Sequence, residues 1–373
     1  MNNLKLLLLI LLFNLTSCED KRVFKNNAVI LTEDNAPPLQ YLEAERIQVP
    51  EVECMNSYMN VYKDTILLVM NAENPNPTLL KIMNLSTMQV INNFYPKGNG
   101  PYEILGMSGF VDHNQLLVMD IFSERVSIFN IDSALINGES YKPKMFTPND
   151  YSWVTSCVLS DSILLVKNRW YVEDAGQFNT NDRTPEFYFY NLNGGREYEF
   201  VHNSELFNST ANACLVANHK LKKIFCAYNR WPKFKLLDYE LKVEKTIYGP
   251  DDFFAVEYGE SVRGGELVVY DYNVYSEDIA ANDEYIFVYN KRSKQIPEES
   301  FASPTDVTEA CIELSIENGE LFQFDWDGNL VGRYKVDGNA FYTLSLSEQD
   351  PKLIYFTGYN EDRELCLFKT HLP

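Results

Sequence analysis

Basic residues are few for a chain of this size, with 32 Lys and Arg against 53 Asp and Glu and a formal net charge of −21. Nucleic-acid binders need clustered Lys and Arg to displace counterions, so no nucleic-acid partner is expected. Histidine is scarcer still: His113, His202, His219 and His371 are the full set. None is near another in sequence, so neither a histidine triad nor a zinc site is expected. The chain has no His-Glu-x-x-His, Cys-x-x-Cys or Gly-Lys-Ser/Thr phosphate loop, which removes the metal and nucleotide chemistries those patterns serve. Gly106-Met-Ser-Gly109 lacks the spacing of a nucleophile elbow. Asp325-Trp-Asp327-Gly328-Asn329 starts like a calcium loop but lacks the later Glu, so it reads as a hairpin turn. No catalytic residue is assigned and no cofactor is expected.

Long apolar runs are also missing, with one exception. Leu6–Leu12 follows Lys5 and leads into Leu15-Thr16-Ser17-Cys18. The run is about half the ~20 residues a bilayer needs. It reads as a secretory signal, and its end looks like a bacterial lipobox. The expected division is a signal peptide over 1–17, a lipidated tether over 18–38 beginning at Cys18, and one folded domain over 39–373. This places the protein on the outer membrane of a Gram-negative bacterium, facing the periplasm or the cell surface. The pair Glu19-Asp20 resembles the export tags of surface lipoproteins. Apart from Cys18 there are six cysteines, several in apolar runs such as Ala213-Cys214-Leu215-Val216. They could form disulfides, but buried thiols acting as small hydrophobes are the preferred reading.

What the chain has in quantity is short β-type runs. Six follow a polar residue: Asp64–Val69, Asn114–Met119, Asp161–Val166, Lys222–Ala227, Asp283–Val288 and Lys352–Thr357, spaced 47–69 residues apart. A second run ending in Asn or Asp follows most of them, as in Val126–Asn130 and Leu321–Asp325. A further run comes next, such as Leu330–Tyr334, and a less regular one precedes each copy. Four strands per unit and six units predict an all-β, six-bladed β-propeller. Two stacked β domains would leave the even recurrence unexplained. The sixth copy ends at its third strand, Glu364–Phe368, so the segment Leu39–Val49 is expected to supply the missing outer strand of the last blade.

Gly98-Asn-Gly100-Pro101-Tyr102-Glu103, followed by Leu116–Asp120 and Arg125–Phe129, resembles the early blades of TolB-like six-bladed β-propeller lipoproteins. Phe324–Tyr334 is similar to that family's penultimate blade. The resemblance implies the propeller and the export signal. It brings no catalytic residues.

Two sets of residues are candidates for binding. Asn168-Arg169-Trp170 and Asn229-Arg230-Trp231 follow the second strands of blades three and four, and Lys291-Arg292 and Tyr359 take similar places in blades five and six. Arg offers bidentate donors to anions, and aromatic faces suit sugars or peptide side chains. A protein, peptide or glycan partner at that end of the channel is the leading expectation, with the propeller as a binding or scaffolding module. The alternative is a calcium-dependent hydrolase or lyase, with Asn56, Asn212, Glu277 and Asp278 converging from inner strands. The interval Ser293–Glu317, on the same face as the Arg-Trp loops, is long enough to be a lid or an insertion.

Overall fold

The computed structural model describes residues 28–50, 57–71, 78–120, 122–123, 125–147, 153–160, 163–168, 187–191, 195–197, 213–228, 233–249, 258–263, 266–271, 276–290, 319–336, 340–360 and 364–373, with isolated positions 313, 316, 317 and 362. Six antiparallel sheets follow one another along the chain. Blade one runs Ser57–Tyr62, Ile66–Asn71, Thr78–Asn84, Val90–Pro96. Blade two runs Ser108–Asp112, Gln115–Asp120, Arg125–Asn130, Lys144–Phe146. Blade three runs Trp153–Ser160, Ile163–Asn168, Phe187–Asn191, Gly195–Glu197, and blade four Ala213–Asn218, Lys223–Tyr228, Lys233–Asp238, Val243–Tyr248. Blade five runs Ser276–Ala281, Tyr285–Asn290, Glu320–Asp325, Leu330–Val336. Blade six contributes Ala340–Leu346, Leu353–Tyr359 and Leu365–His371.

The second strands are the six apolar runs of the sequence, and their burial explains why they are apolar on both faces. Successive side chains of a strand point to opposite sides. In blade two, Leu116 and Val118 enter the core shared with blade one, while Leu117 enters the core shared with blade three. In blade four, Ile224 and Cys226 face blade three while Phe225 and Ala227 face blade five. In blade five, Ile286 and Val288 face blade four while Phe287 and Tyr289 face blade six. The last such core joins Tyr355 and Leu367 of blade six to Met59, Leu67 and Val69 of blade one. Among the described residues, each junction of consecutive blades holds its own apolar core, and together these cores close the ring. The inner strands of blades three, four, five, six and one touch in that order around the channel.

The ring is locked as expected, with one refinement. Ala44–Ile47 pairs antiparallel with Leu365–His371 and completes blade six. Leu39–Leu42 does not share that role: it lies parallel to Leu330–Val336 as a fifth strand of blade five. Ala28–Ile30 does the same for blade four, parallel to Val243–Tyr248. A two-stranded hairpin, Tyr258–Arg263 with Glu266–Asp271, stands between blades four and five in sequence and belongs to neither sheet. The α-helix Ile131–Asn137 connects the third and outer strands of blade two. Asn130 caps it by accepting from the Ser133 N–H.

Cys157 and Cys366 are buried free thiols. Cys214 and Cys226 lie on neighbouring strands but pair with Ala227 and Leu215 respectively. That one-residue offset points them to opposite faces. Cys54 and Cys311 lie outside the described residues.

The Gly98–Glu103 motif has a local structural role. The Glu103 carboxylate accepts from the Gly100 N–H at 2.7 Å. Arg125 donates to the Gly100 and Glu103 carbonyls at 2.8 and 2.6 Å and to Ser123 Oγ at 2.8 Å. Asp120, with no side-chain exposure, accepts from the N–H groups of Leu105, Gly106 and Phe122 and from the Ser123 hydroxyl. The clasp ties the crossover from blade one to the turn between the second and third strands of blade two.

Candidate functional site

Among the described residues, the hairpins joining inner to second strands open at one end of the channel. In blade two this turn is His113-Asn114, because Asp112 pairs directly with Gln115. His113 has φ 54°, a left-handed backbone that glycine adopts freely and that, among other residues, asparagine, aspartate and histidine adopt most readily. Two blades on, the turn is His219–Lys222, between the paired Asn218 and Lys223. Asn218 Oδ1 accepts from the N–H groups of Lys220 and Leu221 at 3.1 and 2.9 Å. Its amide donates to the Asp283 carbonyl in the equivalent turn of blade five at 3.2 Å. Both histidines therefore sit on turns whose backbone is fixed by its own bonding.

These turns bring His113 and His219 together. Their rings meet edge to face with centroids 4.6 Å apart. Asp112 sits beneath them. One of its oxygens accepts from the Val158 N–H of blade three's inner strand at 2.7 Å, and the other lies 2.7 Å from His113 Nδ1. Each of the three residues has a ligand atom within 4.8 Å of the others'. His219 Nδ1 lies 3.0 Å from the Tyr239 hydroxyl. A pocket of about 270 Å³ opens here, lined by Asp112, His113, Asn114, Gln115, Val158, Ser160 and His219.

The electrostatics separate the two imidazoles. The bond to Asp112 holds His113 above its ordinary pKa against the opposing effect of burial. The Asp283 and Glu348 carboxylates, from the equivalent turns of blades five and six, push it the same way. Burial lowers His219, and the charge of His113 lowers it further. The two imidazoles are thus pushed in opposite directions, His113 toward its protonated form and His219 toward its neutral one.

The sequence leads to no expectation of a histidine triad or a zinc site, and it does not anticipate this convergence of two histidines with Asp112. Propeller closure is the physical reason, since it carries equivalent turns of separated blades to one channel mouth. A usable signal exists all the same. Asp112-His113-Asn114 and Asn218-His219-Lys220 occupy the same slot of the repeat, just after an inner strand.

Few of the residues singled out from sequence lie among the described residues. Asn168 ends the second strand of blade three. Arg169, Trp170, Asn229, Arg230, Trp231, Lys291 and Arg292 lie outside the described residues, as does nearly all of Ser293–Glu317. Tyr359 ends the second strand of blade six, at the opposite mouth. Its ring is 6.0 Å from Tyr342, which stacks on Tyr58 at 5.1 Å. Of the calcium candidates, Asn56 and Asn212 are outside the described residues. Glu277 and Asp278 lie on the inner strand of blade five, where the register shifts. An Asp278 oxygen accepts from the Leu344 N–H of blade six at 2.5 Å, the same blade-to-blade bond that Asp112 makes.

With this geometry in place, the likeness to solved structures is one of fold. A member of the DUF4221 family from Bacteroides vulgatus superposes with a TM-score of 0.54 at 10% identity, over 89% of this chain and 96% of that one. An exported protein, so described provisionally, from Bacteroides fragilis gives 0.51 at 11% identity, over 93% and 99%. No protein-family model matches the chain, and no curated protein matches it in sequence. The six-bladed propeller is thus shared with Bacteroides proteins across nearly their whole length.

Proposed function

We propose that the chain is an outer-membrane lipoprotein of the TolB-like propeller type, anchored through Cys18. Its propeller is a binding module without chemistry of its own. The ligand-receiving end is the mouth formed by the inner-strand turns. The observation that carries this reading is the pocket at Asp112, His113 and His219, where three blades contribute polar side chains to one cavity. The acidic turns around it, with Asp283 and Glu348 acting on His113, suit a cationic or metal-bearing group on a partner protein or peptide. The apolar leader and the lipobox-like Leu15–Cys18 support the address, and the exported Bacteroides fragilis protein of like fold accords with it.

The opposite mouth is the rival location, favoured by the tyrosine group at Tyr58, Tyr342 and Tyr359. A photo-reactive amino acid at Gln115 or at Tyr359, in cells making the protein, separates the two. Adducts from Gln115 and none from Tyr359 are expected. The reverse pattern moves the binding end to the tyrosine mouth.

A further inference from the structure

We infer that Asp112, His113 and His219 form a binding site for one divalent transition-metal ion, zinc being the simplest probe. This rests on the reading of that mouth as the binding end and names what is bound there. Two imidazoles and a carboxylate are a donor set that suits zinc and its neighbours, whereas calcium takes oxygen ligands. The donor set therefore differs in chemistry from the acids and amides considered for calcium.

Three observations support it. The donors come from two separate blades, yet each brings a ligand atom within 4.8 Å of the others. The cavity above them offers room for a water or a partner's side chain as a further ligand. Orienting contacts are already in place: the Val158 N–H holds one Asp112 oxygen at 2.7 Å, and Tyr239 reaches a His219 nitrogen at 3.0 Å. Such outer contacts fix ring and carboxylate orientation in metal sites.

The closing motion is small. A tetrahedral ion with bonds near 2.1 Å holds its ligand atoms about 3.4 Å apart. The Asp112–His113 pair stands at 2.7 Å, with a proton between the two atoms. The ion takes that proton's place, so the pair opens slightly while His219 moves inward. His113 Nδ1 exchanges its carboxylate partner for the metal. One nitrogen of His219 gives up its present contact, which is either Tyr239 or the Leu159 carbonyl. His113 is half exposed, which leaves it free to adjust.

The test is equilibrium dialysis of the full chain in detergent against zinc alone, together with cobalt titration followed by its visible ligand-field bands. One ion per chain is expected, with bands of a four- or five-coordinate nitrogen-containing site. His113→Asn keeps a residue that tolerates the left-handed turn, and His219→Gln keeps a polar side chain. Each is expected to weaken zinc binding roughly a hundredfold, at or beyond the upper end of the effect of losing an outer-sphere partner. A readout that needs no variant is protection of His113 and His219, but not His371, from diethylpyrocarbonate by zinc. No binding, binding unchanged in the double variant, or equal protection of all histidines overturns the inference. If zinc fails while Gln115 still cross-links a partner, the metal is rejected and the binding-end reading stands. If zinc binds and Gln115 yields no adduct, the metal site stands and the partner reading falls.

Discussion

Asp120 shows how much one side chain can hold in this fold. Burial disfavours its charge, yet the Ser123 hydroxyl and the N–H groups of Leu105, Gly106 and Phe122 outweigh that, and the carboxyl titrates below its ordinary value. A carboxyl shifted downward contributes stability that is complete above its unfolded pKa, about 3.8 here, and is lost as pH falls through the lower folded value. Asp120→Asn removes the charge while keeping the shape. It should cost about 2–3 kcal/mol in urea denaturation at pH 7, the scale of hydrogen bonds to a charged group. Its loss of stability below about pH 3.8 should also be shallower than in the parent. An equal acid limb in both proteins would show that Asp120 is not the titrating group. Gly100, Glu103, Asp120 and Arg125, from the first of the segments that suggested a family resemblance, are parts of this one clasp. Local motifs of this kind are legible because all their members lie within about one blade.

At the scale of elements, the second strands were the most legible feature. Each is buried on both faces, so its sequence is continuously apolar and stands out against the half-exposed outer strands. The parallel pairings of the added strands Ala28–Ile30 and Leu39–Leu42 were not legible, although Leu39–Leu42 lies within the segment read as β. Both are short edge strands, and their pairing is set by distant partners. Arg333 helps fix one of them. It is 4% exposed and bonded to Glu320 at 2.8 Å within blade five, and to Glu33 at 2.7 Å in the segment between the two added strands. Removing one partner of a buried pair leaves a charge without compensation and costs about 3–5 kcal/mol. Arg333→Met should therefore destabilise by about 3 kcal/mol, and Arg333→Met with Glu320→Leu should recover part of that. A double variant no better than the single one would mean that packing, not charge, is at stake.

For the molecule as a whole, closure is the feature that matters most. A truncated chain beginning at residue 48 lacks the outer strand of blade six and should lose its single cooperative thermal transition, seen by calorimetry. Cys18→Ala should abolish incorporation of labelled fatty acid and move the protein from the membrane to the soluble fraction. An unchanged distribution would rule out the lipid anchor. The candidate site belongs to this scale too, which explains why it was hidden in the sequence. His113 and His219 are polar residues on turns in different blades, linked only by their shared slot in the repeat. Only the ring places them side by side.

The strand that closes the ring also fixes an order of events. Thr370 bonds to the Glu43 carbonyl across 327 residues of chain. If the protein is threaded amino end first through a secretion channel, Ala44–Ile47 emerges before any blade and must wait for Leu365–His371 to follow. Until then its edge is open and available to any other strand it meets. Folding cannot finish while export is under way, so the chain stays loose enough to pass.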